Sequence, residues 1–522
     1  MQQKEFMKNA TVMTVTALIL RAIGIIFRIY LSGRIGAEGM GLYQLVFSVY
    51  VLLSTFASTG ICTAVTRLVT DQLVCGTVRT VKQVLRRAVP LCMAVGVVSA
   101  GLIFFFAAPV CTYLIKDIRA LPSLQVLGIS LPFMGITACL RGYFMARRKT
   151  LLPSISQIAE QVARIGFIFL FFQLWGGNDV KTACLAVILG DGFAEILSSC
   201  IMMGGYFYDL KALKQLKGTH VLPKKYGIVQ HLLEIAAPIT AGRYLNSVLR
   251  TVENILVPQK LTAYGGTTQT SLEQFGMLKG MALPLLFFPS SFLSSVSTLL
   301  IPELSEAHTL GEQQKVTRAV KKALRITLLM SIWLSGLFTV FAYDLGDILY
   351  GSHDVGFLLR VLAPLMPIMY LESIVDGMLK GLNQQMRSLW YSVLDSATRI
   401  LLIIALVPAK GMAGFLFIMV LSNLLTSSLN LQRLLKVTNV RMQWGEWLIR
   451  PLLAAIAAVS GWMLLQNVLS IATPVRRVVV GIGIISVIYL ILSFLFGSIK
   501  KDDLRDITPH RSSASVSLTE HF

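Results

Sequence analysis

Two arginines lie inside the first apolar stretch of the chain. Thr11 to Leu31 is long enough to cross a bilayer, which takes about 20 residues, yet it contains Arg21 and Arg28. Each arginine at bilayer depth costs about 2.5–3.5 kcal/mol on insertion scales. The two are seven residues apart, so they share one face of a helix. Such a face suits an anion, because the planar guanidinium fork donates paired hydrogen bonds to phosphate.

The same spacing recurs in a second apolar segment, ITAGRYLNSVLRTVENILV, which carries Arg243 and Arg250. Arginines near the ends of membrane helices can instead extend to the lipid headgroups. Arg21 is closer to the middle of its segment, which favours a water-filled cavity. We therefore predict that all four arginines converge on one cavity and hold an anion, such as a pyrophosphate whose apolar tail stays in the lipid. Glu253 is predicted to pair with Arg250.

The composition is that of a membrane protein. The 522 residues are 55% hydrophobic and 14% charged, with a mean hydropathy of +0.70, whereas soluble proteins carry about 25% charged residues. The net charge of +21 does not indicate nucleic-acid binding, because the basic residues alternate with apolar segments and form no basic domain. The seven cysteines include no CxxC pair, so they are interpreted as small hydrophobic residues without a disulfide or metal role.

Hydrophobic runs predict an all-α polytopic fold with about fourteen membrane spans. Their approximate limits are 10–32, 41–62, 88–110, 121–144, 151–173, 182–207, 233–257, 275–300, 324–343, 357–379, 388–408, 411–432, 448–469 and 477–497. The stretch between spans 7 and 8, from Lys260 to Gln274, is predicted to be a loop. The polar tail from Ser498 is predicted to be disordered.

The loops between these spans predict the orientation. One alternating set of loops carries 30 of the 47 Lys and Arg residues, and the other set carries 8. Basic residues concentrate in the cytoplasmic loops of membrane proteins. We expect both termini to be cytoplasmic, in a multi-pass membrane protein.

Charged pairs reveal an internal duplication. Glu160 and Arg164 are four residues apart in span 5, and Asp395 and Arg399 have the same spacing in span 11. Spans 1–6 and 7–12 therefore look like two copies of one six-helix unit. Because six is even, the copies share an orientation, and a pseudo-two-fold axis along the membrane normal relates them. The predicted division is residues 1–232 for the N-lobe, 233–436 for the C-lobe, 437–497 for spans 13 and 14, and 498–522 for the tail.

These pairs have a structural and a functional interpretation. Acid-before-base pairs at this spacing stabilise a helix and neutralise each other for insertion, or they open as the lobes move. Asp191 and Glu195 in span 6, and Glu372 and Asp376 in span 10, are acid–acid pairs that repel unless a cation or proton is shared. Either they neutralise neighbouring arginines, or they form a Na⁺ or H⁺ coupling site; no metal centre or other cofactor is expected.

Motifs for catalysis are missing from the sequence. It contains no GxxxxGK[ST], HExxH or GxSxG motif, and no outer loop is large enough for a catalytic domain. This indicates a transporter driven by a gradient or by the membrane potential, and not an enzyme.

Four stretches resemble a known family: LRAIGIIFRIYLSGRIGAEGMGLYQL, GICTAVTRLV, LRGYFMARRKTLLPSISQIAEQVARI and LKGLNQQMRSLWYSVLDSATRI. They are similar to the stage V sporulation protein B and polysaccharide transporter group of the multidrug/oligosaccharidyl-lipid/polysaccharide (MOP) exporter superfamily. The resemblance covers spans 1 to about 12. It implies two six-span lobes, two extra helices and alternating access to a central cavity.

The resemblance also implies a substrate. Such proteins move lipid-linked saccharide precursors, here lipid II for spore cortex peptidoglycan, and related lipid II flippases line the cavity with cations. That role is carried onto Arg21, Arg28, Arg243 and Arg250, and less firmly onto Arg67, whose place in the repeat is taken by Pro302-Glu303. We expect a monomer among membrane lipids, with cell-wall synthases as partners. The competing interpretations are a cation-coupled drug antiporter of the same superfamily, which should have an acidic cavity, and a saccharide polymerase or ligase.

Overall fold

The computed structural model describes residues 2–75, 78–175, 179–213, 227–469 and 473–498, and within these ranges it contains helices and no strand. The predicted tail beyond Ser498 lies outside the described residues. The α-helices are α1 (Gln2–Cys75), α2 (Val78–Pro109), α3 (Leu121–Ala146), α4 (Leu151–Trp175), α5 (Val180–Leu213), α6 (Ile228–Ala263), α7 (Thr268–Phe275), α8 (Leu283–Phe287), α9 (Ser290–Thr309), α10 (Gln313–Val340), α11 (Ala342–Tyr350), α12 (His353–Leu362), α13 (Met366–Gly381), α14 (Gln385–Thr438), α15 (Arg450–Leu469) and α16 (Pro474–Leu495). Short π-helical segments cover Val110–Ile115, Gly276–Ala282 and Gly445–Ile449, and 3₁₀ turns cover Ile118–Ala120 and Ala363–Leu365.

Ten helical segments of the described chain are long and apolar enough to cross a membrane. Two of them, Thr11–Leu73 and Gln385–Thr438, are 63 and 54 residues long. At 1.5 Å per residue these are ~95 and ~80 Å, far more than a hydrocarbon core of about 30 Å, so each supplies two spans. Predicted spans 7 and 8 are not among these ten segments, but both are helical. Span 7 lies in α6, which carries several charges, and span 8 is divided between the π-helical segment Gly276–Ala282 and the helices α8 and α9. The all-α polytopic fold is confirmed.

The long helix α1 bends back at Gly36. This glycine has φ 68° and ψ −178°, which lies in the region that residues with a Cβ rarely adopt. Arg28 and Gln44 lie eight residues before and after it and line the same cavity. On a straight helix they would be ~24 Å apart. The bend therefore turns predicted spans 1 and 2 into a hairpin.

A second hairpin lies within α14. Gly411, with φ 57° and ψ −140°, separates Arg399 from Ser422, yet the Nε of Arg399 donates a hydrogen bond of 3.0 Å to the Oγ of Ser422. Twenty-three residues of straight helix would separate them by ~35 Å. Predicted spans 11 and 12 are therefore antiparallel neighbours.

The two halves of the chain make backbone contact where α1 resumes after its bend. A Cβ on Gly41 would overlap the carbonyl oxygen of Leu272 in α7, and a Cβ on Gly276 would overlap the carbonyl oxygen of Ala37. Small residues allow membrane helices to approach this closely. The structure also corrects the predicted loop at 260–274, because α6 continues to Ala263 and α7 is helical and capped by Thr267.

Polar contacts also join the second arm of α1, after Gly36, to α6. Thr251 donates a hydrogen bond to the carbonyl oxygen of Ser48 at 3.1 Å, and the amide of Asn254 donates to the Oγ of Ser48 at 2.9 Å. The rings of Phe56 and Tyr244 meet edge to face at 5.9 Å. Span 2 is thus fixed against span 7. The division at residues 1–232 and 233–436, and the symmetry between the lobes, remain predictions.

Candidate functional site

A cavity of about 640 Å³ lies between the first half of α1 and the segment that follows α7. Its charged lining residues are Arg21, Arg28 and Lys279, and none of the described lining residues is a carboxylate. The remaining polar side chains come from Gln44 and three serines, and the apolar ones include Phe287 and Phe288. Apolar walls with a few convergent polar groups are typical of ligand sites. These walls form a cationic pocket along a helix that is long and apolar enough to cross a membrane.

The arginines reach this cavity because of their spacing. Arg21 and Arg28 are two turns apart, and Gly24 and Ile25, between them, line the cavity too. One face of α1 is therefore turned towards α8 and α9, as the seven-residue spacing predicts. The Nε2 of Gln44 is buried and has no hydrogen-bond partner among the described residues. A buried donor of this kind is costly unless a ligand or water accepts from it.

Lys279 was missed by the sequence analysis. It lies within predicted span 8, in the π-helical segment Gly276–Ala282, and π-helical turns occur frequently at functional sites. The signal that could have found it is the one used for Arg21: a basic residue inside an apolar span costs free energy and needs a compensating role.

The second arginine pair lies elsewhere. Arg243 and Arg250 project from α6, both are exposed, and neither lines the cavity that holds Arg21 and Arg28. Arg250 lies within electrostatic range of Glu372. The predicted pairing of Arg250 with Glu253 is wrong, because Glu253 binds Lys279 and Arg399 instead. A substrate role for the pair on α6 remains a prediction.

Arg67 is exposed near the end of α1, and it does not line the cavity. The side chains of Pro302 and Glu303, its counterparts in the repeat, lie outside the described residues. A role for Arg67 in the binding of substrate also remains a prediction.

In the N-terminal half, Arg164 joins three helices. Its Nη2 lies 3.0 Å from Glu160 Oε1 in α4, and its Nε lies 2.8 Å from Asp191 Oδ1 in α5. The second contact is an ion pair without hydrogen-bond alignment. The hydroxyl of Tyr43, in α1, donates to Asp191 Oδ2 at 3.4 Å. Arg28 lies within electrostatic range of Asp191, so this network borders the cavity.

The C-terminal half contains a similar network around Arg399. Its Nη2 lies 2.7 Å from Asp395 Oδ2, and its Nη1 lies 3.2 Å from Glu253 Oε2. The Oγ of Ser422 accepts from Arg399 and donates to Asp395. In both halves, then, the arginine of the repeated pair binds its own acid and an acid from another helix. That second acid is not apparent from the sequence spacing.

The four acidic residues considered for ion coupling separate into two kinds. Asp191 holds Arg164, and Asp376 holds Lys380 and the hydroxyl of Ser388. Glu195 is buried and Glu372 is partly buried, and neither makes an ion pair with another described residue. Across the described chain, no group of three or more His, Cys, Asp or Glu side chains is arranged to hold a metal ion.

Comparison with known proteins shows that the chain belongs to a sequence family. The sequence family described as "Polysaccharide biosynthesis protein" matches residues 6–308, more than half of the chain. Stage V sporulation protein B of Bacillus subtilis is 26% identical over 512 residues, which cover 97% of this chain and 98% of that protein. The Bacillus subtilis lipid II flippase MurJ is 22% identical over 404 residues, 73% of each chain.

A solved structure shows the same fold. The lipid II flippase MurJ in an inward closed conformation superimposes with a TM-score of 0.67 and 15% identity, covering 94% of this chain and 98% of that one. The family match and the relatives confirm the resemblance to the stage V sporulation protein B and polysaccharide transporter group that the four sequence stretches indicated.

Proposed function

Because the chain belongs to the polysaccharide biosynthesis protein family, we propose that it is a flippase, which moves lipid-linked saccharide pyrophosphates across the bacterial cytoplasmic membrane by alternating access. The observation that carries the proposal is the cavity between α1 and the span 8 region, which Arg21, Arg28 and Lys279 all line and to which no described residue contributes a carboxylate. Three cations that line one cavity repel one another. A diphosphate relieves that repulsion and accepts charge-assisted hydrogen bonds.

The names of the relatives support a lipid II-type substrate. A stage V sporulation protein and a lipid II flippase both align over most of their length. The substrate of the proposal is therefore a peptidoglycan precursor on a polyprenyl pyrophosphate, used for spore cortex, with cell-wall synthases receiving it. The charged headgroup would lie in the cavity while the polyprenyl tail remains in the lipid.

A Na⁺ or H⁺ gradient or the membrane potential would drive the transport cycle. Glu195 and Glu372 are the candidate coupling groups, because Asp191 and Asp376 already bind basic side chains. An antiporter of organic cations fits less well, since a cavity with three cations repels such a substrate.

Reconstitution into proteoliposomes tests the proposal. The assay measures how fast a lipid-linked disaccharide pentapeptide becomes accessible in the opposite leaflet, with a saccharide-free polyprenyl pyrophosphate and an organic cation as alternative substrates. The expected result is faster movement of the saccharide lipid than in protein-free vesicles. Transport of the organic cation without movement of the saccharide lipid would show that the antiporter interpretation is correct.

A further inference from the structure

Lys279 belongs to two environments at once. Its side chain lines the cationic cavity, and its Nζ lies 3.2 Å from Glu253 Oε1, with 21% of the side chain exposed. An ammonium group has three hydrogens to donate, and Glu253 takes one of them. The same group can therefore contact an anion in the cavity and a carboxylate in the wall behind it.

Glu253 does not depend on Lys279 alone. Its side chain is 4% exposed, and both of its carboxylate oxygens accept hydrogen bonds from Arg399 Nη1, at 3.3 and 3.2 Å. A buried carboxylate without a partner is strongly destabilising. Because Arg399 stays in place, Glu253 keeps two hydrogen bonds when Lys279 leaves, although Arg399 must then serve both Glu253 and Asp395.

The chemistry of Lys279 suits movement. Lysine has a compact charge on a flexible four-carbon chain, whereas arginine has a rigid fork. The Nζ also lies 5.9 Å from the centre of the Phe415 ring, in the second half of α14. Lys279 thus lies between the cavity, α6 and α14, so a movement of its side chain changes its contacts with all three.

We propose that the ammonium of Lys279 is exchanged between Glu253 and the anion in the cavity. In the empty state it binds Glu253, and Lys279 and Arg399 balance the charges of Glu253 and Asp395. When a diphosphate enters, Lys279 turns to it, and the wall cluster gains one negative charge. That charge change, within the contact between α6 and α14, transmits occupancy of the cavity to the C-terminal half. The lipid diphosphate as the natural occupant rests on the proposed function, whereas the exchange itself concerns any diphosphate.

The exchange makes Glu253 a competitor of the ligand. Purified full-length protein in nanodiscs is titrated with inorganic pyrophosphate as the probe, and the Kd is measured for the wild type, Glu253→Gln, Lys279→Met and the double variant. Glu253→Gln should lower the Kd by about tenfold, the value of one charge-assisted hydrogen bond. Lys279→Met should raise it, and the Glu253→Gln substitution should then have no further effect. Lys279→Arg should restore most of the affinity.

The matched control is Asp209→Asn. It removes a buried carboxylate that binds Arg147 and Lys149, outside both the cavity and the cluster around Glu253, so the Kd should stay within about twofold, as expected where no contact to the ligand changes. Glu253→Gln should also slow flipping at saturating lipid while lowering the apparent KM, a split that a purely structural role of Glu253 would not produce. If Glu253→Gln elutes as aggregate, Glu253→Asp, which withdraws the carboxylate from Lys279, takes its place.

The outcomes distinguish a failure of the Lys279 exchange from a failure of the proposed flippase function. An unchanged Kd in Glu253→Gln, an equal gain in the Lys279→Met background, or a wild type that does not bind inorganic pyrophosphate would each overturn the exchange. If inorganic pyrophosphate shows the expected pattern but no lipid-linked saccharide is moved, the exchange stands and the proposed function fails.

Discussion

The Nε of Arg164 in α4 lies 2.8 Å from Asp191 of α5, while the Nη2 of the same guanidinium lies 3.0 Å from Glu160. Sequence spacing alone presents Glu160 and Arg164 as a self-sufficient pair. The contact with Asp191 makes the arginine the centre of a three-residue network, and this changes what charge reversal should do.

We predict that exchanging Glu160 and Arg164 does not restore the protein. In the wild type, Arg164 contacts Asp191 as an ion pair. In the double variant Glu160→Arg with Arg164→Glu, a glutamate at position 164 would face Asp191 at the same place. Two carboxylates at this distance inside a membrane repel strongly. The yield of monodisperse protein, measured by fluorescence-detected size exclusion, should remain low in the double variant.

The matched control adds Asp191→Asn to the same double variant. That substitution removes the repulsion, so the triple variant should recover more protein than the double one. Full recovery in the double variant would mean that Asp191 contributes little to the network.

We predict that a side chain at Gly41 or Gly276, where α1 contacts the segment around α7, destabilises the protein. Gly41→Ala and Gly276→Ala would each drive a Cβ into the backbone of the other half, and backbone cannot move aside as a side chain can. Overpacking of this kind costs about 1–3 kcal/mol. The apparent Tm, followed by tryptophan fluorescence, should fall for both variants. Gly166→Ala, which has open space around the new methyl group, is the control; equal Tm values in all three variants would contradict the prediction.

Much of the fold was predictable because the bilayer imposes a length on every apolar helix. The spans predicted at 10–32 and 41–62 coincide with the two arms of α1, and Gly36 lies between them. The segment from Gly276 to Phe287 was harder, since the backbone of Gly276 packs against Ala37 and Gly41 of α1, and local composition does not show such a contact.

The candidate site was only partly predictable. The seven-residue spacing correctly put Arg21 and Arg28 on one face, because that spacing is a property of the helix itself. The sequence could not show which residues of other helices meet that face. Lys279 and the partners of Glu253 depend on how α6, α14 and the span 8 region pack, and such contacts have no signature in spacing.

We predict that the orientation follows the basic loops. One set of loops carries 30 Lys and Arg residues against 8 in the other set, and this bias sets topology in bacterial membranes. Reporter fusions at both termini should be accessible only from the cytoplasm. A fusion at Gly265, in the exposed connection between α6 and α7, should be accessible only from outside. A cytoplasmic N-terminus together with an outward-facing C-terminus would be incompatible with an even number of spans.

The last prediction compares the two arginine pairs. Arg28 lines the cavity with Lys279, whereas Arg250 is exposed and does not line it. Arg28→Lys keeps the charge but loses the planar fork, so flipping of a lipid-linked saccharide should fall by about tenfold, the effect of one lost charge-assisted hydrogen bond. Arg28→Ala should lower it further, while membrane insertion is retained because an arginine is costly to insert. Arg250→Lys should lower the flipping rate less than Arg28→Lys does, because Arg250 does not line the cavity.

Leaflet-accessibility kinetics in proteoliposomes measure these differences, with the amount of inserted protein determined for each variant. Arg433→Lys is the control, since Arg433 binds Gln384 at 2.7 Å, away from the cavity, and should leave the flipping rate unchanged. If Arg28→Ala flips at the wild-type rate, the cavity between α1 and the span 8 region does not bind the substrate. If Arg250→Lys is the more damaging change, the site lies on α6, and the cations of α6 and not those of α1 hold the pyrophosphate.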